Sequence, residues 1–254
     1  MKLCIGIDDS GRGPIIGPMI MAGILVNEKQ KQELKKAGAK DSKQLLPEKR
    51  QVLYEKIKNI CLSYEILAIS PTEIDGRASV GLNLNKIEAI KTAEIINTLV
   101  NGILNLKRLS EREEFIDVQK MLKDGSSIEI ECYVDCPSSN IVAWQNYLNK
   151  HIKKFENINL MLKCEHKADV NHVECSAASI LAKVTRDSEI EKIKRQIGFD
   201  FGSGYPSDPV TMDFLEKHSS KFKHDGIFRK TWSTWQEHEK KKEQKKLGEF
   251  NFLL

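Results

Sequence analysis

Gly6-Ile7-Asp8-Asp9-Ser10-Gly11-Arg12-Gly13-Pro14-Ile15-Ile16-Gly17-Pro18-Met19 is the stretch on which the reading of this chain turns. The apolar run Leu3-Cys4-Ile5-Gly6-Ile7 predicts a buried strand that ends on two adjacent carboxylates. Glycines and prolines then predict a sharp turn before a second apolar run, Met19 to Val26. Side-by-side like charges repel, and they are tolerated where water solvates them or a cation bridges them. Taken alone, the stretch reads equally as an exposed hairpin turn that favours Asp and Gly or as half of a metal site.

The rest of the chain builds outward from that strand pair. Glu28–Lys36 is polar and helix-like. Pro47 opens a second helix with apolar residues at Val52, Leu53, Ile57 and Ile60. Ser63–Ser70 reads as a strand and Asn83–Leu104 as an amphipathic helix of period near 3.6. A charged excursion, Lys107–Ser127, precedes a strand over Ile128–Val134, after which Asp135 follows at once. A helix over Ile141–Phe155 and a short strand over Leu160–Cys164 lead to Lys167-Ala168-Asp169. The small-residue run Ser176–Val184 suits a helix lying close against a sheet, and helix Val210–Lys217 follows a rigid loop, Gly202–Pro209. Early strands are adjacent and later ones are separated by helices. This predicts an α/β fold with a mixed central sheet flanked by helices, plus a small helical C-terminal region.

Composition narrows the class. The chain of 254 residues is 40% hydrophobic and 30% charged, enough for a core beneath a water-facing surface. No signal peptide and no membrane helix are expected, and the scattered cysteines (no CxxC pair) read as small buried hydrophobes of a reducing compartment. A cytoplasmic location is expected, or a nuclear one in a eukaryote. The net charge of +4 comes from Lys221–Lys246, where nine Lys/Arg stand against four Asp/Glu. That surplus suits a polyanionic partner, and it equally suits a solvated helix face.

Asp8 with Asp9, Asp135 and Asp169 now close three separate strands, and in open α/β sheets such ends gather where ligands bind. Four carboxylates without histidine favour hard ions, Mg²⁺ or Mn²⁺. Clustered carboxylates beside basic surface point to two-metal phosphoryl transfer.

The same residues resemble the type 2 ribonuclease H family, ribonuclease HII, in its archaeal and eukaryotic form. Gly6-Ile7-Asp8-Asp9-Ser10-Gly11-Arg12-Gly13-Pro14 is similar to the family's opening GIDEAGRGP, and Asp41-Ser42-Lys43 to its DSK. Lys167-Ala168-Asp169 and Ser176 through Asp187 resemble KAD…SAASILAKVTRD, and Gly202–Pro209 reads GSGYPSDP as in the family. The resemblance implies a ribonuclease H-like fold over 1–200, a helical region over 201–240 completing the substrate site, and a tail over 241–254. It also implies hydrolysis on the 5′ side of ribonucleotides in RNA–DNA hybrids and in duplex DNA, leaving 3′-OH and 5′-phosphate. Roles in DNA replication and ribonucleotide excision repair come with it. By position, Asp8, Asp9, Asp135 and Asp169 are the catalytic metal ligands for two Mg²⁺ or Mn²⁺ ions. Gly11, Arg12 and Gly13 face the ribonucleotide 2′-hydroxyl, Lys43 contacts phosphate, and Tyr205 packs on the neighbouring sugar. A monomer is implied for an archaeal-like chain.

Two departures stand out. Asp9 replaces the family's usual Glu, one methylene shorter, and Lys107–Ser127 is longer than expected. The alternative class is a nucleic-acid-binding subunit that keeps the fold while Asp9 weakens catalysis. His166 and His172 are read as supporting or surface residues, Lys183 and Arg186 as phosphate contacts or solvated cations, and Trp232 and Trp235 as packing for the C-terminal helix. Gln244, Leu247 and Phe250 resemble a sliding-clamp-binding box, with Asn251 in place of its second aromatic.

Overall fold

The computed structural model describes residues 2–39, 46–104 and 124–251, with side chains through 244. Strand β1 (Lys2–Ser10) pairs antiparallel with β2 (Met19–Asn27), and Asp8 faces Ala22 in the register. Helices α1 (Glu28–Ala37) and α2 (Pro47–Ile60) lead to β3 (Ser63–Ile69), α3 (Pro71–Gly76) and the long α4 (Leu84–Leu104). Then come β4 (Ile128–Asp135), α5 (Ile141–Asn149), β5 (Ile158–Glu165) and the single turn α6 (Ala168–Asn171). Helices α7 (Val173–Ile197), α8 (Pro209–His218) and α9 (Ser233–Asn251) complete the described chain. The strands form one mixed sheet in the order β3-β2-β1-β4-β5, with β1, β4 and β5 mutually parallel.

Local chemistry explains the elements. The β1 core, Leu3 to Ile7, is buried throughout, as befits a central strand covered on both faces. Asn27 caps α1 through a reciprocal pair with Gln30: each side chain accepts the other's backbone N–H, at 3.0 and 2.9 Å. Gly38 ends α1 in the left-handed conformation at φ 84°. At Gly6 a methyl group would collide with the Glu174–Cys175 backbone, so α7 lies on β1 backbone to backbone. The contact falls just before the small-residue run, whose Ala177, Ala178 and Ala182 are themselves fully buried. The helix expected over Ile141–Phe155 ends earlier, at Asn149. Asn97 captures the departing chain: its amide donates to the His151 carbonyl and its oxygen accepts the Lys153 N–H.

The chain folds into two compact units that interleave in sequence. One comprises residues 1–10, 20–68 and 83–185, and the other 11–19, 69–82 and 186–254. The expected boundaries at 200 and 240 do not coincide with this grouping. The first unit holds the sheet and a core of Ile20, Ala22, Ile24, Leu53, Ile57, Ala177 and Leu181 with their neighbours. The second is built on Ile15, Ile16, Phe201, Phe214, Phe228 and Trp235, an aromatic cluster in which Phe228 and Trp235 lie 4.8 Å apart. The expected tail at 241–254 continues α9 as far as Asn251. Lys43 lies outside the described residues, as does most of the Lys107–Ser127 excursion. All six cysteines are free thiols, five of them buried. No helix among the described residues is long and apolar enough to cross a membrane.

Candidate active site

In the sheet unit, the parallel strands carry their carboxylates to one edge. Ile7 pairs with Val134, so β1 and β4 reach Asp8 and Asp135 together, and Asp135 pairs with Glu165 at the end of β5. Asp169 sits on α6, immediately beyond β5, and is buried. One bond ties two of these ends: Asp135 Oδ1 accepts the Ala168 N–H at 3.1 Å.

Asp8 is only 6% exposed. Burial first, then the Asp9 and Asp135 charges, push its carboxyl well above the usual range. The Ser179 hydroxyl and the Asp9 N–H, the latter 2.8 Å from Oδ1, pull the other way. Ser179 in turn accepts from Lys183 Nζ at 2.8 Å, one helical turn along α7. The structure thus brings Asp8, Asp9 and Asp135 into one electrostatic group and bonds Asp135 to the turn of Asp169. Among the described residues no three acidic, His or Cys side chains already stand as a closed cage for an ion. The donor set nonetheless fits a hard divalent cation. Negative charge is concentrated where burial penalises it, and an ion that keeps part of its water shell does not require a preformed cage.

The second unit holds the Gly-Arg-Gly loop. Gly11 and Gly17 adopt φ of 86° and 88°, conformations that strain a side-chain-bearing residue. Arg229 is completely buried and fixes this loop. It donates from Nη2 to the Gly11 carbonyl (2.7 Å), from Nη1 to Arg12 (2.9 Å) and from Nε to Gly17 (3.0 Å). Burial pulls the Arg229 pKa down to about 9, helped by Arg186, so it is still charged at neutral pH. Trp232 donates from Nε1 to the Gly13 carbonyl at 3.2 Å, and the Arg77 and Arg229 guanidiniums both lie over its ring, at 4.9 and 5.1 Å. Trp235 is a core residue, packed as expected, whereas Trp232 is half-buried and contacts the glycine loop and the two guanidiniums instead.

Tyr205 is half-buried, with the Arg186 guanidinium 4.9 Å over its ring. Arg186 also donates to the Ser203 carbonyl at 2.8 Å. The Gly202–Pro209 loop is tied by Asp208, which accepts from the Ser203 N–H and hydroxyl, both at 2.7 Å. The Gly204 carbonyl accepts from Ile15 at 2.8 Å, fixing this loop to the Gly-Arg-Gly segment within the same unit. Gly13 stands beside Tyr205: a methyl group there would rest 3.5 Å from the ring. His166 bonds the Cys136 carbonyl and His172 pairs with Glu165, both supporting positions. Gln244 is exposed on α9, whose backbone also carries Leu247 and Phe250; the side chains of those two lie outside the described ones.

Sequence reasoning missed Ser179 and Arg229 and left Lys183 and Arg186 undecided. The available signal for Arg229 was its setting, Ile227-Phe228-Arg229 before Trp232, a cation among residues that pack.

Comparisons with known proteins agree with this fold. The chain matches the family Ribonuclease HII over residues 5–110 and 106–235. It is 40% identical over 234 residues to the Ribonuclease HII of Methanococcus maripaludis (strain C6), covering 92% of this chain and 85% of that protein. It superposes on the crystal structure of the ribonuclease H2 from Pyrococcus horikoshii OT3 with a TM-score of 0.74 and 34% identity, covering 94% of this chain and 98% of that one. A chain of the PCNA:RNase HII complex from Archaeoglobus fulgidus matches with a TM-score of 0.69 and 32% identity, over 91% and 95% of the two chains. The mixed sheet flanked by helices is the ribonuclease H-like fold, and this chain belongs to the ribonuclease HII family, as a ribonuclease H type 2 enzyme.

Proposed function

We propose that the chain cuts duplex nucleic acid on the 5′ side of a ribonucleotide, in RNA–DNA hybrids and at single ribonucleotides within DNA, leaving 3′-OH and 5′-phosphate. The observation that carries this reading is the buried Asp8 carboxyl, crowded by Asp9 and Asp135 at the strand edge. Such a group gains most from a divalent cation. Asp8, Asp9, Asp135 and Asp169 would hold two Mg²⁺ or Mn²⁺ ions, which supply an activated water and neutralise charge on the phosphate. Ser179, with Lys183 behind it, keeps the Asp8 carboxylate oriented for that role. Arg229 and Trp232 set the Gly11–Gly13 backbone before substrate arrives, so the loop can approach the 2′-hydroxyl that distinguishes RNA from DNA. Tyr205, held by Arg186, offers a ring face to the adjoining sugar.

The test is a labelled duplex carrying one ribonucleotide, incubated with Mg²⁺ or Mn²⁺ and mapped at single-nucleotide resolution. A cut 5′ to the ribonucleotide that disappears in Asp8→Asn and in Asp135→Asn supports the reading. Intact binding with no cleavage under either ion overturns it in favour of a binding subunit, and Asp9→Glu then shows whether the missing methylene is the cause.

The relative from Archaeoglobus fulgidus is part of a complex with PCNA, and α9 of this chain carries Gln244, Leu247 and Phe250. We assign these three residues to docking on a sliding clamp. Removal of 247–254 would abolish clamp binding and leave cleavage of short duplexes intact; unchanged affinity would refute the assignment. A cytoplasmic monomer is the setting we propose.

A further inference from the structure

The turn that carries Asp169 should not hold by itself. Helix α6 has four residues, a single turn, too short to return the cost of its own nucleation. It starts from Lys167 at φ 61° and ψ 36°, a left-handed conformation that strains a non-glycine residue, and no side chain caps it. Yet Asp169 is buried and must keep a fixed place to act as a ligand.

Its support lies on β4 and β5. At the start of the turn Asp135 accepts the Ala168 N–H. At its end a single oxygen, Glu165 Oε1, meets two groups, Asn171 Nδ2 at 2.9 Å and His172 Nε2 at 3.0 Å. The His172 ring stacks on Tyr133, centroids 3.8 Å apart and planes inclined by 24°. Tyr133 is itself clamped. Its hydroxyl donates to Glu131 at 3.1 Å and accepts from Lys163 at 3.2 Å, while Lys163 also reaches Glu131 at 3.2 Å. Lys2 closes the set on Glu131 at 3.0 Å. Because strand side chains alternate, Glu131, Tyr133 and Asp135 share one face of β4, and Glu165 is the register partner of Asp135. The brace therefore fastens the Asp169 turn to the same strand ends that carry Asp135.

We propose that Glu165 and His172 are positioning residues of this site, holding the α6 turn so that Asp169 stands ready for a divalent ion. The proposal rests on the metal reading given above. Neither residue needs to touch the ion. Losing the brace leaves a strained one-turn helix free to unwind, and the ordering of Asp169 must then be met from the binding energy of the ion. Outer supports of metal ligands typically weaken affinity by about 10- to 100-fold when removed.

The experiment is a Mn²⁺ titration of the metal-free full chain, followed by electron paramagnetic resonance of the free ion, alongside the Mn²⁺ dependence of duplex cleavage. In His172→Ala we expect Mn²⁺ affinity to fall about tenfold. The Mn²⁺ concentration for half-maximal cleavage should rise by the same factor, with KM for duplex at saturating Mn²⁺ unchanged. His172→Phe, which keeps the stack on Tyr133, should recover part of that affinity. Glu165→Ala should match His172→Ala, and the double variant should be no worse than either, since both act through one brace. Wild-type Mn²⁺ affinity in folded His172→Ala overturns the proposal. Should that variant fail to fold, Glu165→Ala, which removes the oxygen shared by Asn171 and His172, decides in its place by the same criterion. If the unaltered chain neither binds Mn²⁺ nor cleaves, the metal reading falls and this inference with it. If it does both and the variants match it, the brace alone is refuted.

Discussion

Two of the charged side chains buried among the described residues, one in each compact unit, are treated in opposite ways. Arg229 in the second unit is completely enclosed, and three backbone carbonyls receive its donors within 3.0 Å. Asp8 in the sheet unit is nearly as enclosed, but the charges around it include Asp9 and Asp135, which raise its cost. A buried ion satisfied by the fold is scaffold; a buried ion made worse by its neighbours awaits a ligand. The metal chemistry proposed above draws on the second kind, and the shape of the glycine loop on the first.

The sharpest way to break this contrast is to neutralise Asp8. Asp8→Asn should lower cleavage on the order of a thousandfold, since it removes a ligand that charge stabilisation depends on. In metal-free buffer the same variant should unfold at higher urea than the unaltered chain, because like-charge crowding is relieved. A loss of both activity and stability would show that Asp8 is scaffold after all.

Arg229 should behave in reverse. Arg229→Met leaves three buried carbonyls without donors, and we expect a loss of about 3 kcal/mol or more in unfolding free energy, measured by urea titration. Arg229→Lys should rescue little, because an ammonium cannot spread its donors over three carbonyls as the planar guanidinium does. Full rescue by Lys would mean that charge rather than the fork geometry matters.

The Asp8 environment also sets a pH dependence. Its carboxyl titrates above the unfolded value, so the folded chain holds the proton more tightly than the unfolded one. The resulting stability is complete below the ordinary carboxylate range and is lost as pH rises through the higher folded pKa. Between pH 4 and pH 8 the urea midpoint of the metal-free chain should therefore shift downward relative to that of Asp8→Asn, the difference between the two slopes being the Asp8 contribution. Saturating Mg²⁺ should reverse the trend, because the ion competes with the proton for the same carboxylate. A slope identical in both chains would assign it to other groups.

The two charges were unequally legible in the sequence. Asp8 closes a continuous apolar run in β1 and Asp135 closes the alternating run of β4, so pattern marks the strand and its carboxylate in both. Asp169 lies past the end of β5 on α6 and was legible only by its nearness to that strand. Parallel neighbours then bring those ends to one edge. Arg229 follows no such rule. Its partners are backbone carbonyls 212 to 218 residues away, and backbone groups leave no side-chain pattern to read. It also sits in a lysine-rich segment whose net charge suited a polyanionic partner or a solvated helix face, not a buried cation. Interleaving of the two units was hidden for a related reason: residues 11–19 and 69–82 are short connectors whose allegiance is decided by tertiary packing. His172 was legible as a supporting residue, but the stack on Tyr133 needed the register of β4 against β5.

The finest test concerns the two ends of the glycine loop. Gly11 has φ 86°, and a methyl group there would come within 2.6 Å of the Arg186 side chain, so Gly11→Ala should cost about 1–2 kcal/mol in stability. Gly13 is different. It carries no positive φ, and a methyl group would meet only the Tyr205 ring at 3.5 Å, an ordinary contact. Gly13→Ala should therefore leave the urea midpoint within about 0.5 kcal/mol of the unaltered chain. If Gly13 is glycine for the sake of the ribose, that same methyl group should still lower kcat/KM about tenfold at a single embedded ribonucleotide, by holding the backbone away from the 2′-hydroxyl. Loss of activity without loss of stability separates a residue kept for substrate from one kept for the fold. Were Gly13→Ala to cleave normally, recognition of the ribose would have to rest on Gly11, Arg12 and Tyr205 without it.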